Sequence, residues 1–301
     1  MISVPQLISQ VRTANYIGLA RALTLVENDL PDAAGFLKEL KPFDTPVIGI
    51  TGPPGAGKST LVNAMINQLS TAGKRIAVLA IDPTSPFNLG SLLGDRIRMS
   101  EQFNKPNVYI RSLATRGSLG GLSAKAIEMT DVLKSAGFDY ILVETVGVGQ
   151  SEVEIAGLAD ISLVVLVPES GDEIQSMKSG LMEIADIFIV NKSDREGAEA
   201  FANNLKKLVH QRMQIIPVIN TVADKQEGIA ELMKAIEAKS FKDNTRRPFL
   251  LAEKAWKLIQ QHKMKDIDKK MLQQDLIKAS SRPDFNLYLF VEEVLNRTRN
   301  S

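Results

Sequence analysis

Seven short apolar runs recur along the middle of the chain: VIGIT (47–51), IAVLAI (76–81), VYIRS (108–112), YILVE (140–144), ISLVVLV (161–167), IFIVN (187–191) and IIPVIN (215–220). Helical stretches separate them. Runs that are apolar at consecutive positions, and not merely at alternate ones, suit strands buried on both faces, and their alternation with helices predicts a mostly parallel sheet covered on each side. The fold class expected is therefore α/β. Ligands of such sheets bind beyond the C-terminal ends of the strands. Outside this pattern, residues 3–40 carry apolar positions near period 3.6 (Leu7, Val11, Ile17, Leu19, Leu23, Val26) and predict a helical N-terminal extension over 1–42, which Pro42 and Pro46 end. The sheet region spans 43–240. Beyond it the β-rich runs cease: residues 252–279 read as one long helix and 285–299 as another, a C-terminal helical arm over 241–301 whose apolar stripes have no sheet to cover. Such an arm can pack on a second subunit, giving a homodimer, or fold back on its own domain.

Composition narrows the partners. The 301 residues carry a net charge of +1, so nothing recommends nucleic acid as a partner. Residues 239–301 hold 14 Lys/Arg against 8 Asp/Glu, or +6, which leaves −5 on the rest. With no cysteine, disulfides, thiolate catalysis and cysteine-ligated zinc are excluded, and the two histidines, His210 and His262, lie on polar helical segments. No membrane span is expected from the hydropathy. The first 29 residues lack a signal-type apolar core, so the cytoplasm is the expected compartment.

The first apolar run leads directly into GPPGAGKST (52–60) and then an amphipathic helix. Gly52, Gly57, Lys58 and Ser59 satisfy the spacing of a phosphate-binding loop. Pro54, Gly55, Ala56 and Thr60 complete it. Its glycines let successive N–H groups converge on an anion at a helix N-terminus, where the helix dipole is positive. Lys58 then reaches the β- and γ-phosphates, and the Ser59 hydroxyl is placed to ligate Mg²⁺. The sixth run ends in NKSD, with Asn191, Lys192 and Asp194. A carboxylate at this place accepts hydrogen bonds from guanine N1–H and N2–H₂, whereas the N1 of adenine carries no proton. Lys192 is expected to lay its stem along the base. Val222, Ala223 and Asp224, in INTVADKQEG, occupy the place of a second base-contacting loop and are expected to offer the base backbone N–H donors.

Acidic residues sit at other strand tips. Asp82 ends the second run and Glu144 the fourth, and both are expected to face the phosphates, where a Mg²⁺ site uses few protein carboxylates and keeps several waters. Asp95, in LLGDRIRMS, either ligates Mg²⁺, orients the attacking water, or is an ordinary helix-surface aspartate. Gly147, three residues after Glu144, offers an N–H to the γ-phosphate in a segment able to change with nucleotide state.

With these residues in place, the chain resembles the MeaB/ArgK/MMAA family of GTPases associated with methylmalonyl-CoA mutase. The resemblance rests on GPPGAGKSTL, AIDPTSP, LLGDRIRM, TRGSLGGLS, ETVGVGQSE, PESGDEIQSMKSG and NKSD, and covers nearly the whole length. It implies a P-loop GTPase domain over 43–240, GTP/GDP and Mg²⁺ as ligands, and an adenosylcobalamin-dependent mutase as partner, whose cofactor loading and protection are gated by GTP hydrolysis. By position, Ser59, Asp82, Asp95 and Glu144 match the family's magnesium and catalytic set. Asp172 and Lys178 match a switch segment that responds to the partner. Lys178, Arg96, Arg98 and Arg116 are the candidates for a charge that the partner repositions. Two rivals from the residues are a nickel-insertion GTPase, disfavoured by the absence of cysteine, and a small-molecule kinase, which has no need of NKSD. A kinase or ATPase of basic amino acid transport is disfavoured by the guanine signature.

Overall fold

The computed structural model describes residues 2–82, 99–114, 124–145, 155–170, 179–211, 216–239, 247–264, 267–282 and 284–299. Two compact units are present, Met1–Leu251 and Ala252–Ser301.

The first unit opens with α1 (Val4–Arg12), α2 (Tyr16–Glu27) and α3 (Ala33–Glu39). The continuous helical periodicity of 3–40 is thus broken twice. Ala14 turns left-handed at φ 50°, and Asn15 then caps α2 by accepting from the Gly18 N–H at 2.9 Å. Asp29 and Asp32 adopt positive φ ahead of α3. Short polar side chains tolerate that conformation better than others, and the apolar pattern alone does not reveal it.

All seven expected strands form: β1 (Val47–Thr51), β2 (Ile76–Asp82), β3 (Val108–Ala114), β4 (Tyr140–Thr145), β5 (Ile161–Leu166), β6 (Ile187–Val190) and β7 (Val218–Asn220). They make one sheet in the order β3-β2-β4-β1-β5-β6-β7, and every pairing is parallel. Among the described residues, the helices between the strands are α4 (Lys58–Thr71), α5 (Ala124–Lys134), α6 (Ser179–Ile184) and α7 (Ala198–Gln211), and α8 (Ile229–Ala238) follows β7. Strand alternation divides the core in two. Val47, Leu79, Val143, Val164 and Phe188 pack with α1, α2, α5 and α7, whereas Ile48, Val78, Leu142, Val165 and Ile189 pack with α4 and α8. The central strands β1, β4, β5 and β6 therefore bury both faces, as their apolar runs require, whereas the edge strand β7 is partly exposed. The chain leaves β1 toward β2 on one side, and β4 and β5 flank β1. The tips of β1, β4 and β5 thus form the crevice where ligands of such sheets bind.

The N-terminal helices are part of this core. Phe36 of α3 and Leu19, Leu23 and Val26 of α2 are fully buried. Tyr16 packs edge-on against Tyr109 of β3 at 5.3 Å between ring centroids and donates its hydroxyl to the Pro106 carbonyl at 2.9 Å.

The second unit is helical. It holds most of α9 (Arg247–Met264), together with α10 (Lys269–Ser280) and α11 (Leu287–Arg299). The single long helix expected over 252–279 is two helices, because Asp268 caps a new one by accepting from the Met271 N–H at 2.8 Å. None of its described residues is among the buried hydrophobics, while Trp256, Ile259, Met271, Ile277, Tyr288 and Leu289 are exposed. Among the described residues, no helix is long and apolar enough to cross a membrane.

Candidate nucleotide site

The loop between β1 and α4 is forced into shape by two glycines. At Gly52, φ is +137° and a Cβ would lie 2.1 Å from the Val165 carbonyl oxygen; at Gly57, φ is +87° and a Cβ would lie 2.4 Å from the Asn191 amide nitrogen. Neither place admits a side chain. The chain can therefore cross the tip of β5 and touch the loop after β6 only with glycine at these points. Lys58, the first residue of α4, is buried and folds back to donate to the Gly52 and Pro53 carbonyls at 2.7 and 2.9 Å. A buried ammonium must be hydrogen-bonded, and here the loop's own carbonyls hold it beside the cradle. Ala56 and Ser59 are buried, whereas Pro54, Gly55 and Thr60 are exposed.

Ser59 Oγ donates to Glu144 Oε1 at 2.6 Å, and both side chains are buried. Parallel register brings them together: Ile50 of β1 pairs with Glu144 of β4, so the carboxylate stands beside the loop that follows β1. The backbone of Asp82 ends β2 two strands from β1. Asp95, Arg96, Arg98, Arg116, Gly147, Asp172 and Lys178 lie outside the described residues. No group of three or more acidic or histidine side chains that could hold a metal ion occurs among the described residues. The donors that are present fit Mg²⁺ nonetheless: a hydroxyl and a carboxylate are hard oxygen ligands, and Mg²⁺ beside phosphates needs only one or two from the protein.

The loop after β6 is tied to the phosphate loop by Asn191. Its amide nitrogen donates to the Ala56 carbonyl at 2.9 Å, and its oxygen accepts from Thr221 Oγ1 at 3.1 Å and the Ala223 N–H at 3.2 Å. One buried side chain thus joins three loops. Lys192 takes a left-handed φ of 55°, and its Nζ donates to the Gly55 carbonyl at 2.7 Å. A non-glycine residue is held there only when its surroundings over-determine it. Val222 and Ala223 do not offer the expected backbone donors to a base, because their N–H groups are spent on Glu227 O and on Asn191 Oδ1, and Asp224 follows on the exposed turn.

Asp194 is exposed at the mouth. Lys225 Nζ donates to its Oδ2 at 2.8 Å, and this bond, more than any other influence, holds the carboxyl below its ordinary range and raises the lysine above its own. The neighbouring Arg195 pairs with Glu169, whose carboxyl is lowered by that contact. Sequence reading named neither Thr221 nor Lys225. A threonine after a strand has no motif of its own, and the lysine's partner stands 31 residues away.

The sheet order, the glycine-pinned loop before α4 and the Asn191-braced loop after β6 define a P-loop nucleoside triphosphatase. Comparison with known proteins gives the family. The pattern described as Methylmalonyl Co-A mutase-associated GTPase MeaB matches residues 19–281, and the chain belongs to this family of GTPases. A Pyrococcus abyssi relative is 45% identical over 267 residues, 86% of this chain and 82% of its own. GTPase ArgK of Escherichia coli is 40% identical over 193 residues, 62% of this chain and 58% of its own, as is the mouse methylmalonic aciduria type A homolog, mitochondrial, over 62% and 46%. The crystal structure of a LAO/AO transport system kinase superposes with a TM-score of 0.68, covering 98% of this chain and 97% of that one; at 24% identity it attests the fold alone.

Proposed function

We propose that this GTPase is a chaperone of an adenosylcobalamin-dependent acyl-CoA mutase such as methylmalonyl-CoA mutase, coupling GTP hydrolysis to the loading and protection of the mutase cofactor. The observation that carries the nucleotide half of this reading is the Asn191 brace, which joins the phosphate loop to the loop bearing Asp194. The family membership and the mouse relative's name support the mutase half.

In this reading the N–H groups of Gly55, Ala56, Gly57, Lys58, Ser59 and Thr60 and the Lys58 ammonium hold the β- and γ-phosphate oxygens. Phosphate oxygens replace the carbonyls on which Lys58 now rests. Asp194 accepts from the guanine N1–H and N2–H₂, Lys192 lies along the ring, and the turn at Val222 to Asp224 flanks the base. Ser59 and Glu144, with Asp82 and Asp95, would hold Mg²⁺, which when bound neutralises charge on the transferring phosphoryl group. Lys58, Asp95, Glu144 and Lys178 carry catalysis, Gly147 meets the γ-phosphate, and Asp172 and Lys178 answer to the partner. Phosphoryl transfer needs positioning and charge neutralisation more than covalent help, so one added cation accelerates such enzymes about 10³- to 10⁵-fold. The mutase supplies or repositions that charge through Lys178 or an arginine of 96, 98 or 116. The exposed apolar stripes of α9, α10 and α11 pair two copies of the chain, and the protein works in the cytoplasm.

The test is co-purification with a mutase in GDP and in a non-hydrolysable GTP analogue, with GTP turnover measured beside it. Association that changes with the nucleotide, and turnover stimulated by the mutase but not in Lys178→Ala, is expected. Equal recovery in both nucleotides overturns the chaperone role.

A further inference from the structure

Between the loops after β6 and β7, one exposed ion pair bridges the mouth of the site: Lys225 Nζ on Asp194 Oδ2 at 2.8 Å. We infer that Lys225 is a positioning residue for base recognition, fixing the Asp194 carboxylate in the orientation that reads the nucleobase. The inference rests on the reading that Asp194 accepts from guanine. Three observations carry it.

First, the other cations nearby are committed elsewhere. Lys192 Nζ is on the Gly55 carbonyl and Arg195 pairs with Glu169, so among the described residues Lys225 is the cation in contact with Asp194. Second, the contact does not exhaust the carboxylate. Two oxygens offer about four lone-pair sites; the ammonium takes one and guanine N1–H and N2–H₂ take two. Lysine and base can therefore be bound together, and the pair holds the acceptor without blocking it. Third, the pair spans the two loops that meet the base. Lys225 follows Ala223 and Asp224 on a turn whose Ala223 N–H bonds Asn191 Oδ1. The Lys225 bond closes the same loop at its outer end. An aspartate that is 41% exposed would otherwise swing on its side-chain torsions, and fixing it before the base arrives removes that ordering cost from binding.

The magnitude is bounded by exposure. With Lys225 54% exposed as well, the pair is worth at most about a 3- to 5-fold change in affinity, and salt screens it. The experiment is calorimetry on the full chain, with Lys225→Met and Lys225→Arg, against GDP, IDP and ADP in low and high salt. IDP lacks the 2-amino group, so it reports whether the second hydrogen bond to Asp194 stays aligned. Lys225→Met should bind GDP about 3- to 5-fold more weakly in low salt and show a smaller preference for GDP over IDP. Lys225→Arg should restore most of both, and in about 1 M salt the variants should converge on the wild type. An unchanged or tighter GDP affinity in Lys225→Met overturns the inference, since a competing or idle lysine would give that result. If the wild-type protein itself fails to prefer GDP over ADP, the reading of Asp194 has fallen and this inference falls with it. A wild-type preference that survives intact in Lys225→Met removes the inference alone.

Discussion

Replacing Asn191 with alanine removes three hydrogen bonds at once and strands their partners. The Ala56 carbonyl, the Thr221 hydroxyl and the Ala223 N–H all belong to buried residues, with exposures of 0, 1 and 3%. Water therefore does not readily replace the lost amide. A net contribution of about 1 kcal/mol per bond gives a loss of about 3 kcal/mol, before any further desolvation penalty for the orphaned groups. For a chain of this size each kcal/mol lowers the melting temperature by about 2–4 °C, so a drop of about 6–12 °C is expected without nucleotide. Binding should suffer separately. Asn191 fixes the base loop against the phosphate loop, and GDP affinity should fall at least about tenfold, equivalent to about 1.4 kcal/mol. Asn191→Asp keeps the acceptor for Thr221 and Ala223 but sets an oxygen against the Ala56 carbonyl, and should recover less than half of the lost stability. Circular dichroism melts and calorimetry with GDP measure the two effects. A variant that melts within about 2 °C of the wild type and binds GDP normally refutes the claim that this side chain unites the loops.

Other outcomes follow from the same geometry. Gly57→Ala, whose Cβ would lie 2.4 Å from the Asn191 amide at a φ of +87°, should weaken GDP binding at least about tenfold; wild-type affinity in calorimetry would deny the close approach. Ser59→Ala should abolish most of the gain in GDP affinity brought by Mg²⁺, measured by titration with and without EDTA; an undiminished Mg²⁺ effect would remove Ser59 from the metal site. Burial raises the Tyr109 and Tyr16 hydroxyls above their usual pKa. The unfolded chain therefore gives up its tyrosine protons first, so this stability is intact below pH about 10 and is lost as pH rises through the folded values. Tyr109→Phe should flatten the decline of melting temperature above pH 10, and an identical decline would contradict the assignment. Phe36→Ala should cost about 3–5 kcal/mol in urea unfolding, because that ring is fully buried; a cost below about 1 kcal/mol would mean that α3 is not part of the core.

The sheet was legible because its signal is local. Each strand needs only a short apolar run of neighbouring residues, and the glycines before Lys58 announce their own turn. The tips of β1 and β4 could likewise be placed on one side of the sheet from the βα order. The 2.6 Å contact between Ser59 and Glu144 could not, since it depends on the pairing of Ile50 with Glu144 across more than ninety residues. Helix ends were harder still. Asn15 and Asp268 end one helical pattern and begin another through a single side-chain bond, and periodicity carries no trace of it. The Lys225–Asp194 pair belongs to the same class of fact: two exposed, ordinary residues whose meeting is set by the spacing of β6 and β7.

Calorimetry of the wild-type protein with GDP and ADP, in Mg²⁺, addresses the central claim most directly. A cradle closed by Asp194 should prefer GDP by about 10³-fold or more, because adenine leaves the carboxylate facing an unprotonated N1. Equal affinities for the two nucleotides would contradict the account.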